Sequence, residues 1–283
     1  MLGKLLKHEW KAVWKVPMLL IGILMIMAMV AGFTFVLPVW DSEWVGLPLS
    51  GVMLIMLFYF TIIAVSIGIT IYFAVRYYKN MFTDEGYLTH TLPVSARQLL
   101  LNKVITMSAW NLIAIVAVGL SLLLFGGITL WALMPKDSSF AREVIESFAE
   151  AIEGWPEALS SPYMKGFTGF CISLLLMVLS GSFSGTMMIV GSINLGQMVR
   201  KHRILGSIGA YFAINAVIQM FNMMVMMPVM FGVENSVSRW EGDMSPFPMF
   251  TRFYMIMTVI TLAAAVGLYF MSEYLLRRQL ELE

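Results

Sequence analysis

Charge is scarce in this chain of 283 residues. Asp, Glu, Lys and Arg make up 12% of it, about half the share of an ordinary soluble domain. With 59% of residues hydrophobic, this excludes a typical soluble globular domain and leaves an integral membrane protein. Cysteine is almost absent. The single Cys171 rules out an intrachain disulfide and leaves the redox compartment open. The three histidines, His8, His90 and His202, lie far apart and with one cysteine make no metal site. There is no G-x-x-x-x-G-K-[ST] run, so the chain does not bind ATP by the P-loop mechanism. There is no H-E-x-x-H either. No acid or base lies deep in an apolar run, which argues against a proton-coupled carrier or an intramembrane enzyme. No catalytic residue, metal or cofactor is expected in the chain. The net charge of +1 gives no nucleic-acid signal.

What is present is six long apolar runs, at about 17–39, 50–75, 104–134, 167–196, 206–232 and 253–275. Each has the roughly 20 residues needed to cross a hydrocarbon core. In lipid the backbone must satisfy its own hydrogen bonds, so each run is expected to be a helix. The fold class is therefore all-α, six spans in one transmembrane domain covering 1–283. The 26 methionines suit soft, adaptable packing.

Residues 1–16 precede the first span and are amphipathic. At helical spacing Leu2, Leu5, Leu6, Trp10 and Val13 fall on one side, and Lys4, Lys7, Lys11 and Lys15 on the other. Such a helix lies in the membrane surface with its lysines toward lipid phosphates. The apolar run after it is of full membrane length and lacks a small-x-small cleavage site, so the segment is read as part of the mature protein, with Pro17 opening the first span. Thirteen of the 18 basic residues fall in the N-terminal segment, 76–103, 197–205 and the C-terminal segment. That bias puts both termini and both of these loops in the cytoplasm.

In the outer loop, 135–166, Phe140, Val144, Phe148, Ala151 and Trp155 share one face, and Glu143, Glu146, Glu150, Glu153 and Glu157 form a second stripe. This predicts an amphipathic helix. The last outer loop, 233–252, contains Pro246 and Pro248 and reads as irregular. In the fifth span Ser207, Tyr211, Asn215, Gln219 and Asn222 fall on one side. Amides in hydrocarbon need partners, so this face should point into the bundle or a pathway. Helix–helix hydrogen bonding and a substrate-facing surface both fit it. Gly181 and Gly185 in the fourth span have a G-x-x-x-G spacing that permits close helix approach. Gly119, Gly126 and Gly127 could soften a long third helix.

The densest polar stretch is Arg76 to Lys103. Thr83 can cap a short helix whose first turn holds Asp84 and Glu85. Pro93 ends that helix at Leu92. Ser95 and Gln98 then fit a capping box for the next helix. Glu85, Gly86, Leu88, the turn Leu92-Pro93-Val94-Ser95, Leu99-Leu100 and Lys103 follow in that order. This run resembles the cytoplasmic loop of the ATP-binding-cassette type-2 exporter permeases of bacteria, over about twenty residues. Asn102 stands where that family commonly has glycine, and Tyr87–His90 is not its commonest version.

The resemblance implies a coupling helix that docks on a separate cytoplasmic ATPase subunit, with contact residues Phe82, Asp84, Glu85, Gly86, Tyr87 and Leu88. Aromatics make good interface anchors, and the acids can pair with basic residues of a partner. Arg200, Lys201 and Arg203 are a second candidate contact or a lipid-headgroup anchor. By the same resemblance, ATP and magnesium are held by the partner, and a second permease chain, identical or related, completes the transporter in the plasma membrane. The cargo would be apolar or amphipathic: a drug, a peptide or a lipid. Tyr211, Asn215, Gln219 and Asn222 are its candidate path. The rival expectations are a non-transporting membrane adaptor or sensor, and a secondary carrier.

Overall fold

The structure is a computed structural model. It describes residues 2–37, 39–40, 45–83, 95–133, 146–147, 149–150, 153–161, 164–199, 202–237, 245 and 247–280. Among the described residues the regular elements are helices: α1 (Leu2–Val13), α2 (Lys15–Phe33), α3 (Gly46–Phe82), α4 (Ala96–Leu133), α5 (Trp155–Ser160), α6 (Phe167–Gly196), α7 (Arg203–Val237) and α8 (Phe247–Leu280). Six of them, all but α1 and α5, are long and apolar enough to cross a membrane. The chain is a multi-pass, all-α membrane protein.

The helix ends differ from the apolar runs in instructive ways. Helix α2 stops at Phe33 because its last turn tightens. Thr34 Oγ1 donates to the Ala31 carbonyl at 2.7 Å, and the Phe35 amide donates to the Gly32 carbonyl at 3.1 Å. Trp40 then donates its indole N–H to the Thr34 carbonyl at 3.0 Å, satisfying an acceptor that the helix leaves open. Helix α3 overshoots its apolar run and continues to Phe82. Residues 76–82 are thus its last two turns. The stretch expected to be irregular after the fifth span is helical on both sides. Helix α7 runs to Val237 and α8 starts at Phe247, with Pro248 in the first turn, where a missing N–H costs nothing.

The chain divides into two compact units, one with residues 3–75 and 109–153, the other with 76–108 and 154–283. In the first, α1 passes into α2 through a single turn residue, Trp14, whose amide donates to Trp10 O at 3.2 Å. Lys4, Lys7, Lys11 and Lys15 are exposed, while Val13 is buried. Trp10 stacks on the buried Trp110 at 4.9 Å between ring centroids. The amphipathic reading of this segment therefore holds in the fold. Gly32 lies so close to α4 that a Cβ there would be 2.9 Å from Ile128 Cβ. Phe35, Trp40, Phe58 and Phe125 form an aromatic cluster.

In the second unit α6 is the post. Ser180, Ser182, Ser184, Thr186, Met187 and the run from Ile189 to Asn194 are all buried on it. It packs along α8 and against α7. The N-terminal ends of α6 and α8 meet through rings: Phe170 contacts Phe247, Phe250 and Tyr254 at 5.5, 6.2 and 5.7 Å. Gly166, which precedes α6, has φ +88°, and a Cβ there would be 3.0 Å from Pro248. Glycine alone suits both demands.

The G-x-x-x-G pair does not do what its spacing suggests. Nothing lies within 4 Å of a Cβ built at Gly181 or Gly185. Close approach occurs further along, at Gly191 against Leu268 (3.1 Å) and at Gly196 against the backbone of Ser207. The residue that does tie this stretch is Ser182, which donates to the Ser108 carbonyl at 2.6 Å. The glycines of the third span leave α4 unbroken from Ala96 to Leu133.

Candidate functional site

The candidate docking loop is framed by two helix ends of the second unit. On one side α3 finishes at Phe82, and Thr83 Oγ1 donates back to the Lys79 carbonyl at 2.6 Å. That hydroxyl closes α3; the short helix expected after Thr83 lies outside the described residues. On the other side Ser95 opens α4 as expected. Its Oγ accepts from the Gln98 amide at 3.4 Å and its carbonyl accepts from the Leu99 amide at 3.1 Å. Leu99, Leu100, Asn102 and Lys103 are buried within the next two turns. The lysine that closes the loop's sequence pattern is thus 5% exposed and not a free surface charge. Asp84, Glu85, Gly86, Tyr87 and Leu88 lie outside the described residues.

Of the residues expected on the coupling helix, Phe82 is the one among the described residues. It is half-buried and sits on the Tyr77 and Tyr78 rings, both at 6.2 Å between centroids, edge-on to the first. Tyr77 is 1% exposed, and its hydroxyl donates to Asn194 Oδ1 at 3.1 Å. Asn194, near the end of α6, is itself 1% exposed. One turn on, Gln197 Nε2 donates to the Ile193 carbonyl at 3.4 Å. Asn194 Nδ2 and Gln197 Oε1 are buried without partners among the described residues. One is a donor and the other an acceptor, three residues apart on one helix face. Neither Tyr77 nor Asn194 stood out in the sequence. The signal for Asn194 was an amide inside an apolar run, which must find a partner in the protein.

The second basic cluster is less complete. Arg200 and Lys201 lie outside the described residues. Arg203 is exposed and opens α7, and its carbonyl accepts from Ser207 Oγ at 2.9 Å.

Helix α7 carries the amide stripe away from that point. Ser207 is buried, Tyr211, Asn215 and Asn222 are half-buried, and Gln219 is exposed. Asn222 Oδ1 is shielded yet has no partner among the described residues. The stripe is therefore covered only at its first residue, and further along the chain leaves it partly open. Of the glutamates expected along one stripe of 135–166, Glu146, Glu150, Glu153 and Glu157 are exposed. Trp155 is edge-on to Phe167 at 5.9 Å. Phe140, Glu143, Val144, Phe148 and Ala151 lie outside the described residues. Among the described residues no group of His, Cys, Asp and Glu can hold a metal ion.

Fold and site together define the class, a polytopic helical membrane protein whose polar chemistry gathers at the ends of α3, α4, α6 and α7. No protein-family model, curated protein or solved structure matches the chain.

Proposed function

We propose that this protein is the membrane-spanning subunit of an ATP-driven exporter, moved by a separate cytoplasmic ATPase that grips residues 82–88. The observation that carries this reading is the framing of that segment. Helix α3 extends past its apolar run to Phe82, α4 restarts at a capped Ser95, and the side chains behind both ends are buried. A short polar segment held between two anchored helix ends is suited to receive a push. The basic bias puts this loop and both termini on the cytoplasmic side. With no acid or base deep in a span, the energy comes from outside the chain. The half-open amide stripe of α7 faces either cargo or a second permease chain. Cargo that is apolar or amphipathic suits spans that offer no fixed charge.

The test is co-purification with a P-loop ATPase from a neighbouring reading frame, followed by ATP hydrolysis in lipid nanodiscs. The expected result is a stable complex whose hydrolysis is lost with Glu85→Arg and weakened with Tyr87→Ala. Binding of the ATPase without stimulated hydrolysis marks a non-transporting adaptor instead. Cargo movement by the chain alone marks a secondary carrier.

A further inference from the structure

The Tyr77–Asn194 hydrogen bond joins the last turn but one of α3 to the last turn of α6 across 117 residues of sequence. Each helix runs from this point into a polar connection, 84–94 after α3 and 197–202 after α6. We propose that Tyr77 and Asn194 are positioning residues that form a strut, making the ends of α3 and α6 move as one body.

Three observations support rigidity. Both side chains are 1% exposed, so no water stands ready to replace the bond when it breaks, and each partner would be left unsatisfied. The Tyr77 ring is held from the loop side by Phe82. Beyond Asn194, Gly196 lies against the backbone of Ser207, so α6 meets α7 with no flexible side chain between them to absorb a displacement. A shift of Phe82 thus passes through Tyr77 to Asn194, and from Gly196 to the start of the α7 amide stripe. Spatial order alone does not demonstrate coupling, so the test measures it.

The strut itself is independent of the exporter reading; its use in transport rests on that reading. Nitroxide labels go on Lys79→Cys and His202→Cys, both exposed positions, in a full-length Cys171→Ser background in lipid nanodiscs. Pulsed electron resonance then reads the distance distribution without nucleotide, ATPase or cargo. The expected result is one narrow distribution, broadened about twofold by Tyr77→Phe as a second arrangement becomes populated. Asn194→Leu gives the same broadening, the double variant is no broader than either single, and Asn194→Asp, which keeps an acceptor for the hydroxyl, stays narrow. Tyr77→Phe removes one oxygen and keeps the ring packing, so the fold is retained. An unchanged width in both single variants overturns the strut. So does additive broadening in the double variant, or broadening by Asn194→Asp. If an ATPase partner is in hand, Tyr77→Phe lowers cargo moved per ATP about fivefold, the worth of one net hydrogen bond, while the partner stays bound. Failure to find any ATPase response, with the distances behaving as expected, sinks the exporter reading and leaves the strut standing.

Discussion

Helices α6 and α7 are neighbours in sequence and both long enough to span a bilayer, yet the chain treats them in opposite ways. In α6, 44% of the most apolar stretch is buried within the protein; in α7 the share is 6%. The difference lies in side-chain size. Helix α6 buries serines, Thr186 and glycines along with Met187, Val190 and Ile193, so neighbouring backbones can come close, which is how helices associate without a hydrophobic drive in lipid. Helix α7 carries Phe212, Met220, Met223 and Met224 on its surface, each 68–75% exposed, and these suit lipid. Its amides do not. The comparison teaches that α6 is a fixed post, while α7 shows a mixed face whose polar half is only partly covered within the chain.

The sharpest way to break this contrast is Gly196→Ala. Its methyl group would enter the Ser207 backbone, which cannot move aside as a side-chain end can. Overpacking of this kind costs about 3 kcal/mol, read as a large drop in thermal unfolding temperature in detergent. A native-like melt would remove the close α6–α7 contact from the argument. Next in size are Asn215→Leu and Gln219→Leu on α7. Transport should fall about tenfold, equivalent to ~1.4 kcal/mol of barrier, with ATPase binding unchanged in a pull-down. Unchanged transport in both variants would leave the stripe as a lipid or packing surface only. Smaller again is Ser182→Ala, which deletes the bond to the Ser108 carbonyl. It should destabilise by about 0.6 kcal/mol, the average for such bonds between membrane helices. Smallest is Gly181→Ala, where a Cβ meets open space and the melt should shift by less than about 0.5 kcal/mol. A cost there comparable to Gly196→Ala would restore the G-x-x-x-G pair as a packing motif.

Much of this fold could be read before any coordinates. Six apolar runs became six helices because the bilayer leaves a spanning backbone no other option. Ser95 was legible as a cap because its bonds reach only three or four residues along the chain. The N-terminal lysine face was legible for the same local reason. What could not be read depends on which distant helix lies opposite. Gly181 and Gly196 are both glycines in one apolar run, and only the position of α7 makes the second indispensable. Tyr77 and Asn194 follow no spacing rule, because their meeting is set by how α3 and α6 lie side by side. Phe82 was expected on a separate coupling helix. It instead ends α3, since the helical backbone continues past the last apolar residue while Arg76, Lys79 and Asn80 remain helix-compatible.

The brevity of the connection after α6 has a consequence for how the protein is built. Six residues, 197–202, separate α6 from α7, so closing their contacts costs little chain entropy. The pairing of α6 with α8 must instead wait for the whole of α7 to be synthesised. Contacts between α6 and α7 can therefore close before α8 exists, whereas those between α6 and α8 can close only after it.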